Sequence, residues 1–409
     1  MRILEIVDRI DADSWGGMQV VALTTARRLA ERGHDVTILA FKPGRGDVDA
    51  SPVRIVRLGE RRKGQPAVFE ARGAMAKLVA SKPFDIIHSH FAYAALGPSL
   101  VPKRGASHIR TYHGSWDLEG FHQDFAQMPG LLRRPLLYAK RALRYAVDYT
   151  DISSAARVVA LSDFSVRQLA RFGVPPERIC KIRGAVDLET FAPRGDKALY
   201  RRSIGHASDG PLLFAAARFE RRKGLQALIA AMPAILARHP GATLLIAGDG
   251  PERPALEAQI VNLRLGSAVR LIGYLAQSLP DYYRAADVFI VPSQRLETFG
   301  LVTVEAIASG TPVIGTSSGA TPEILRDIEP RLITQDGSPE AITAAVLDFL
   351  SGDWRHALTQ GKLVDHARVS YSWDAHVDRL EAMYAEVRTD VTGRFWRRSA
   401  ERAATRDVD

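Results

Sequence analysis

The sequence predicts an α/β protein built of two doubly wound, Rossmann-like domains that face each other across a cleft. Three observations carry this expectation. At 409 residues the chain is longer than one hydrophobic core usually organises, so two domains of roughly 200 residues each are expected. Short, uniformly apolar strands alternate with amphipathic helices in two series, the pattern of parallel sheets covered on both faces. A Pro/Gly-bearing stretch, "RGAVDLETFAPRGD" (183–196), separates the series.

The first series opens with strand-like "RILEIVD" (2–8), followed by a loop holding Gly16 and Gly17 and the helical "MQVVALTTARRLAERG" (18–33). Gly33 sits where a helix C′ residue belongs, and Arg27, Arg28 and Arg32 lie near the negative end of the helix dipole. "DVTILAF" (35–41), "DIIHSH" (85–90), "SHIRTYH" (107–113) and "RVVALS" (157–162) repeat the strand signature. The second series comprises "PLLFAAAR" (211–218), "ATLLIAG" (242–248), "VRLIGY" (269–274), "VFIVPS" (288–293) and "PVIGT" (312–316). Helices are expected between them at 224–239, 251–264, 278–286 and 300–309. "WDAHVDRLEAMYAEVR" (373–388) reads as a further helix, and the basic "GRFWRRSAERAATRDVD" (393–409) as a frayed tail. The expected domains are 1–190, completed by a helix over 371–390, and 191–370, with a tail over 391–409.

A hydrophobic content of 46% and a charged content of 25% are those of an ordinary soluble globular protein. Cys180 is the only cysteine, which excludes an internal disulfide framework and suits a reducing compartment. The N-terminal "MRILEIVDRI" carries Glu5 and Asp8 and has no long apolar run, so it does not read as a signal peptide. The longest apolar candidate, "GLQALIAAMPAILA" (224–237), holds Gln226 and Pro233, and no membrane-spanning segment is expected. A cytoplasmic protein is expected. A net charge of +9 implies an anionic partner, which could be nucleic acid, an anionic membrane or a phosphorylated substrate.

Ligands of doubly wound sheets bind beyond the carboxyl ends of the strands, so the cleft is where chemistry is expected. In "ETFGLVTVEAIASGTPVIG" (297–315), Gly300 permits close backbone approach, and the helix that starts there leaves free amides at about 299–302, an anion site. Glu297 lies in the loop and Glu305 on the helix's second turn. Their different elements argue against simple helical metal spacing and for two contacts along one extended ligand, a ribose diol suiting one of them. A solvated loop with one capping glutamate is the alternative. In "ARFERRKG" (217–224), Arg218 ends an apolar strand and Lys223 precedes a helix, a fork-shaped donor and a point charge that suit a diphosphate. Arg221 and Arg222 read as surface charges. Gly248 in "IAGDGPE" (246–252) fits a nucleotide contact or a plain tight turn equally. His88 and His90 share a strand face, but no Cys or third ligand lies nearby in sequence, so no metal is expected and His88 reads as structural. His113, followed by glycine, is expected to face the substrate.

One further segment is amphipathic. In "LLRRPLLYAKRALRYAV" (131–147), positions 132, 136, 139, 143 and 147 form an apolar stripe, while Arg133, Arg134, Lys140, Arg141 and Arg144 lie off it. The upstream "GSWDLEGFHQDFAQMPG" (114–130) offers Trp116, Phe121 and Phe125 in an expected loop beside His113, and the tail adds Arg394, Trp396, Arg397 and Arg398. This reads either as a core-packed helix with a solvated basic face or as a reversible dock onto an anionic membrane.

Taken together, Gly16-Gly17 before "VALTTARRLAERGHDVTIL", then "TYHG", "ARFERRKG", "AGDGPE", "PSQRLETFGLVTVEAIASGTPVI" and "GATPEIL" resemble the retaining GT-B glycosyltransferases of family four, in motif order over most of residues 1–390. The resemblance implies a nucleotide-sugar donor, UDP- or GDP-linked, bound mainly to the second domain without a metal or other cofactor. Arg218 and Lys223 would hold the diphosphate and Glu305 the ribose hydroxyls. Glu297, with the amides of Phe299, Gly300 and Leu301 and neighbouring Val302, would meet the donor sugar and phosphates. Gly16, Gly17, Gly248, Gly273 and Tyr274 complete the implied donor site. His113, Arg218, Lys223 and Glu297 are the implied catalytic set, with His90 and Trp116 on the acceptor side. The implied acceptor is a glycan, lipid-linked or small-molecule hydroxyl, as in polysaccharide biosynthesis, with no nucleic acid involved and a peripheral place on the inner face of the membrane. The family's Asn-Gly-Val-Asp appears as "GAVD" with Gly184 and Ala185, its double glycine as Gly319-Ala320, and "RDIEPRLI" replaces a glycine-containing loop. A hydrolysing epimerase lacks the glutamate pair, a phosphorylase needs a pyridoxal-phosphate lysine that nothing marks, and a non-catalytic sugar-nucleotide-binding module remains the non-enzymatic alternative.

Overall fold

Two all-parallel sheets organise the chain. The computed structural model describes every residue except 11–15, 43–49, 59–66, 100, 102, 104, 128–133, 207, 276 and 405–409, and of 67–69, 97, 99, 125–127 and 389–404 the backbone alone. The first sheet contains β1 (Arg2–Val7), β2 (Asp35–Ala40), β3 (Arg54–Arg57), β4 (Ile86–Ser89), β5 (Ser107–Tyr112), β6 (Arg157–Ala160) and β7 (Ile179–Lys181). Their order is β3-β2-β1-β4-β5-β6-β7. Helices α1 (Gly17–Glu31), α2 (Ala67–Ser81), α3 (Ala92–Ser99), α4 (Trp116–Gln127), α5 (Arg134–Ser154) and α6 (Asp163–Leu169) accompany it.

The second sheet has the order β10-β9-β8-β11-β12-β13, with β8 (Leu212–Ala216), β9 (Thr243–Ala247), β10 (Val269–Gly273), β11 (Val288–Val291), β12 (Val313–Thr316) and β13 (Ile333–Thr334). Its helices are α7 (Lys197–Ser203), α8 (Leu225–Arg238), α9 (Arg253–Asn262), α10 (Leu279–Ala285), α11 (Leu301–Ala308), α12 (Thr321–Leu325), α13 (Pro339–Ser351) and α14 (Gln360–Ser370). Strands such as β11, buried at all four residues, are apolar throughout because helices cover both faces, and each fully buried Val or Ile contributes about 1.5–3 kcal/mol. Helix starts follow local chemistry: Ser338 caps α13 by accepting from Ala341 N, with Pro339 as its first residue.

The strand order reverses between β1 and β4 in one sheet and between β8 and β11 in the other. Those reversals open the crevices in which such sheets hold ligands. They place Gly16 and Gly17 at the start of α1, with His90, at one crevice, and Arg218 and the 292–300 loop at the other.

The final helix α15 (Trp373–Ala404) leaves the second sheet's side and docks on the first. Arg32 donates to Asp378 and Glu381 at 2.6 Å each, and Tyr384 meets His88 at 2.6 Å. Its backbone stays helical to Ala404, so the expected frayed tail is a helix up to that point. Residues 116–125, expected as a loop, lie in α4, whose N-terminus is capped by Asp148 accepting from Trp116 N at 2.9 Å. Strands β3, β7 and β13, of four, three and two residues, have no counterpart among the expected strands.

Candidate functional site

Two helix N-termini meet across the gap between the sheets. α1 starts at Gly17 after the extended Gly16, and α11 starts after Gly300, which adopts φ +84°, a conformation that costs glycine little. A Cβ on Gly17 would lie 3.7 Å from Leu301 Cδ2. The unpaired first amides and the positive dipole ends of both helices therefore open on one place, a ready-made anion cradle.

Charged side chains of the second domain lie on the loops at the ends of β8 and β11, the strand before α11. Lys223 Nζ donates to Glu297 Oε2 at 2.7 Å, and the Ser293 hydroxyl donates to the same oxygen at 3.0 Å. Burial pushes the Glu297 carboxyl up, but Lys223, Arg222 and Ser293 outweigh it and hold it below the usual range. Arg218, with its side chain 67% exposed, lies 3.0 Å from Glu220, a screened contact that a ligand can replace at little cost. Arg222 is not the surface charge the sequence suggested. It is largely buried, bonded to Glu220 at 2.8 Å and 3.8 Å from Glu119 of α4. Glu305 is buried on α11 and accepts from the Tyr283 phenol at 3.0 Å, and burial raises its carboxyl to about 7. Glu297 and Glu305 thus stand on separate elements with separate partners.

At the strand ends on the far side of the second domain, Gly248 N donates to Gly273 O at 2.7 Å. Tyr274, which follows, is exposed. A Cβ on Gly248 would lie 1.9 Å from Ala217 O, so this glycine is required by packing between strand ends, whatever else it does. The Phe299 ring is buried against Tyr371 and leaves only its backbone to a ligand. Val302 lies in the first turn of α11, half-buried.

The first domain contributes differently. His113, at the end of β5, gives its carbonyl to the Thr298 hydroxyl at 2.6 Å, and its Nε2 meets His90 Nδ1 at 2.9 Å. His90 is 1% exposed and lies behind His113, so it does not reach an acceptor as the resemblance implied; β4 ends inside the sheet and buries it. Trp116 is half-buried, packed on Phe91 and Tyr93 with Arg144 over its ring. Glu5, His88 and His90 form a buried group with ligand-type atoms within 4.8 Å of one another, the third partner that sequence spacing did not reveal. Those atoms are hydrogen-bonded to protein: Glu5 to His90 at 2.7 Å, His88 to Tyr384 and Thr111 at 2.6 Å each.

The domains are closed on each other. The Thr298 carbonyl accepts from Ser162 at 2.5 Å and Ser165 at 3.0 Å, and Glu323 accepts from the backbone of Asp163 and Phe164 at 2.7 Å each. Gln123 of α4 donates to Glu220 at 2.9 Å. A crevice of about 180 Å³ is lined by Lys181, Arg183, Phe299, Glu323, Arg326 and Tyr371 among others. The altered hinge has a physical account: a Cβ on Gly184 would lie 2.5 Å from the Phe299 ring, so the residue that replaces asparagine makes room for that ring. Ala185 is fully buried with Val21 and Trp373.

Sequence reading missed Thr298, Ser162, Ser165, Glu323, Glu220 and Glu5. Only Glu5 carried a local signal, an acid inside a buried apolar strand, which demands partners. The amphipathic segment is also corrected. Lys140 and Arg144 lie 3.7 and 3.0 Å from Asp124, and Arg141 3.4 Å from Asp117. Lys140, Arg141 and Arg144 thus turn toward the acids of α4, and the expected stripe splits: Val147 is buried with Leu137 and Ile152, whereas Leu136 and Leu143 are exposed, Leu143 to 67%, as are Tyr138 and Tyr149 outside the stripe. Leu132 and Arg133 lie outside the described residues, and the Phe125 side chain likewise. No helix among the described residues is long and apolar enough to cross a membrane.

Comparison with known proteins agrees with this arrangement. A model of glycosyltransferase family 4 matches residues 15–190, and a model of glycosyl transferases group 1 matches residues 196–362. The chain is 29% identical over 398 residues to D-inositol 3-phosphate glycosyltransferase of Thermobispora bispora, covering 91% of this chain and 90% of that one. It is 28% identical over 392 residues to the Corynebacterium glutamicum protein of the same name, with 90% and 91% covered. Among solved structures, sucrose-phosphate synthase from Thermosynechococcus elongatus superposes with a TM-score of 0.78 at 23% identity, covering 94% of this chain and 98% of that one. Anabaena HepE in complex with UDP and glucose superposes with a TM-score of 0.72 at 18% identity, covering 94% and 100%. Both are likenesses of fold.

Proposed function

Because the chain belongs to the group 1 glycosyl transferases of family 4 and is a glycosyltransferase of GT-B fold, we propose that it is a retaining enzyme that moves a sugar from a nucleotide-sugar donor to a polyol hydroxyl. The observation that carries this reading is the pair of helix N-termini at Gly17 and Leu301 that meet across the cleft, with Lys223 bonded to Glu297 in the loop that leads into the second of them. The donor diphosphate seats between them. Arg218 and Lys223 leave Glu220 and Glu297 to bind it, and Glu305 takes the ribose diol. As the bond between the sugar's anomeric carbon and the phosphate oxygen breaks, charge develops on the diphosphate, where the cations and amides stabilise it. The acceptor oxygen bonds that carbon on the same face, and its proton passes to the departing phosphate oxygen. With this positive field in place no divalent metal is required.

The first donor to test is UDP-glucose, which a HepE structure of the same fold holds, alongside GDP- and ADP-sugars. The first acceptor is D-inositol 3-phosphate, from the names of the relatives. Nucleotide release should depend on the acceptor, survive EDTA, and yield a product with the donor's anomeric configuration by NMR. An inverted product removes the retaining mechanism, metal-reversible inactivation removes the metal-free reading, and silence with every nucleotide sugar removes the transferase reading.

The exposed apolar face of α5 favours a second reading of the acceptor, as a lipid-linked glycan reached by docking on an anionic membrane. Since Lys140, Arg141 and Arg144 are ion-paired with acids of α4, insertion of Leu136, Tyr138 and Leu143 would carry the docking. Sedimentation with anionic vesicles that is lost in Leu143→Ser supports it, and a wild type that stays in the supernatant at low salt removes it.

A further inference from the structure

Glu5 is a fully buried acid in the apolar β1, and a buried carboxylate persists only with partners. Among the described residues it has two, His88 of β4 and His90 just beyond that strand's end. His90 Nε2 lies at 2.7 Å and His88 Nδ1 at 3.4 Å. Burial raises the Glu5 carboxyl, but these histidines bring it down to about 2, so at neutral pH it is ionised and can only accept. The proton in the short contact therefore sits on His90 Nε2. Burial lowers His90 to about 4, so the ring carries that single proton and its Nδ1 can only accept. Facing it at 2.9 Å is His113 Nε2, which must then be the donor. Burial, with His90 and Arg110, keeps His113 neutral as well. Its Nδ1 is left bare, with no partner among the described residues and not among the sealed-off buried polar atoms.

The geometry points to Glu5 and His90 as positioning residues that hold His113 with a bare Nδ1, so that its free edge accepts a hydrogen bond from one hydroxyl of the donor sugar and offers none. This rests on the proposed transferase reading for the sugar, while the tautomer chain stands on the protein alone. Two consequences follow. His113 is not a proton donor to the leaving phosphate. Sugar selection at this point favours a hydroxyl and disfavours any acceptor-only group, because two facing lone pairs repel.

Histidine-selective ¹⁵N NMR of the wild type at neutral pH tests the first link, with His113 assigned by the signal missing from His113→Asn. Expected are a bare Nδ1 and a protonated Nε2. A protonated Nδ1 in the empty wild type overturns the proposal without any variant. In Glu5→Gln the carboxamide can donate to His90 Nε2, so both rings should reverse or mix their tautomers, whereas Glu5→Asp should restore the wild-type spectrum. Kinetics with UDP-glucose and its monodeoxy series test the second link. The wild type should lose roughly tenfold or more in kcat/KM for one analogue, and Glu5→Gln should narrow that gap to about threefold or less. An unchanged tautomer or an unchanged gap in folded Glu5→Gln overturns the relay. If the wild type turns over no nucleotide sugar, the transferase reading fails and the NMR result alone decides the tautomer chain.

Discussion

The two walls of the cleft hold their chemistry in opposite ways. In the second domain, Lys223, Glu297 and Arg218 sit in short loops at strand ends, Arg218 open to solvent and the Lys223–Glu297 pair largely covered, each paired with a neighbour it can give up. In the first domain, Glu5 comes from β1 and His90 and His113 from the residues just after β4 and β5, and they form a hydrogen-bonded line whose inner two members are sealed from water. The difference teaches where exchange and where permanence are built. A charge that must switch from a carboxylate to a diphosphate belongs on a strand-end loop, where the incoming anion can take the place of the partner it leaves. A group that must keep one proton arrangement belongs behind others, where no water competes.

The comparison breaks most visibly at Lys223. Lys223→Ala should lower turnover by at least roughly tenfold through loss of leaving-group stabilisation. It should also cost about 1–3 kcal/mol of stability, because it strands the buried Glu297 carboxylate. Arg218→Ala should lower turnover comparably yet move stability by under about 0.5 kcal/mol, as its side chain is mostly exposed. Paired assays of turnover and thermal melting decide this, and near wild-type rates in both variants dissolve the diphosphate assignment.

The hinge comes next. Gly184→Asn restores the family's side chain but drives it into the Phe299 ring, 2.5 Å from the position of its Cβ, and overpacking of this kind costs about 1–3 kcal/mol. A denaturation curve superimposable on wild type would show that Phe299 has somewhere else to go.

Glu305 sharpens the contrast within the second wall. Glu305→Ala should weaken binding of a bare nucleoside diphosphate, whereas Glu297→Ala should mainly lower turnover of the sugar nucleotide. Burial lifts the Glu305 carboxyl from 4.5 to about 7, so between those values the folded protein holds a proton that the unfolded chain releases. The empty protein should therefore lose stability as pH rises from about 4.5 toward 7. Nucleotide affinity should move the other way, rising severalfold through about 7 as the carboxylate becomes free to accept from the ribose diol. Titration calorimetry against Glu305→Gln isolates this step from ionisation of the phosphate. A wild type and a variant with parallel pH profiles would contradict it.

The smallest expected effect lies on α5. Leu143→Ser should change stability by no more than about 0.5 kcal/mol, since Leu143 faces solvent. A larger loss by chemical denaturation would mean that this face packs on something after all.

Much of this was written locally. Uniformly apolar runs such as "VFIVPS" and the glycine-started helix after Glu297 announce parallel strands and an anion-binding loop, because backbone conformation and strand burial depend on neighbours a few residues away. The charged residues of the second wall lie within such loops, and their resemblance to a family was legible for the same reason. What the local pattern left out depends on residues distant in sequence. Strands β3, β7 and β13 are too short to carry a period. α5 shows a stripe in its sequence, but which residues turn inward is set by the elements packed on it, and these bury Leu137, Val147 and Ile152 and leave Leu143 in solvent. Arg222 looks like a surface charge until Glu220 and Glu119 close over it. The missing side chain at Gly184 has meaning only beside Phe299, more than a hundred residues on. His90 looks like a contact residue until β4 is placed beside β1 and β5. Its role is then set by Glu5, 85 residues away along the chain, because a proton's position in a buried line is decided by the acid at its far end.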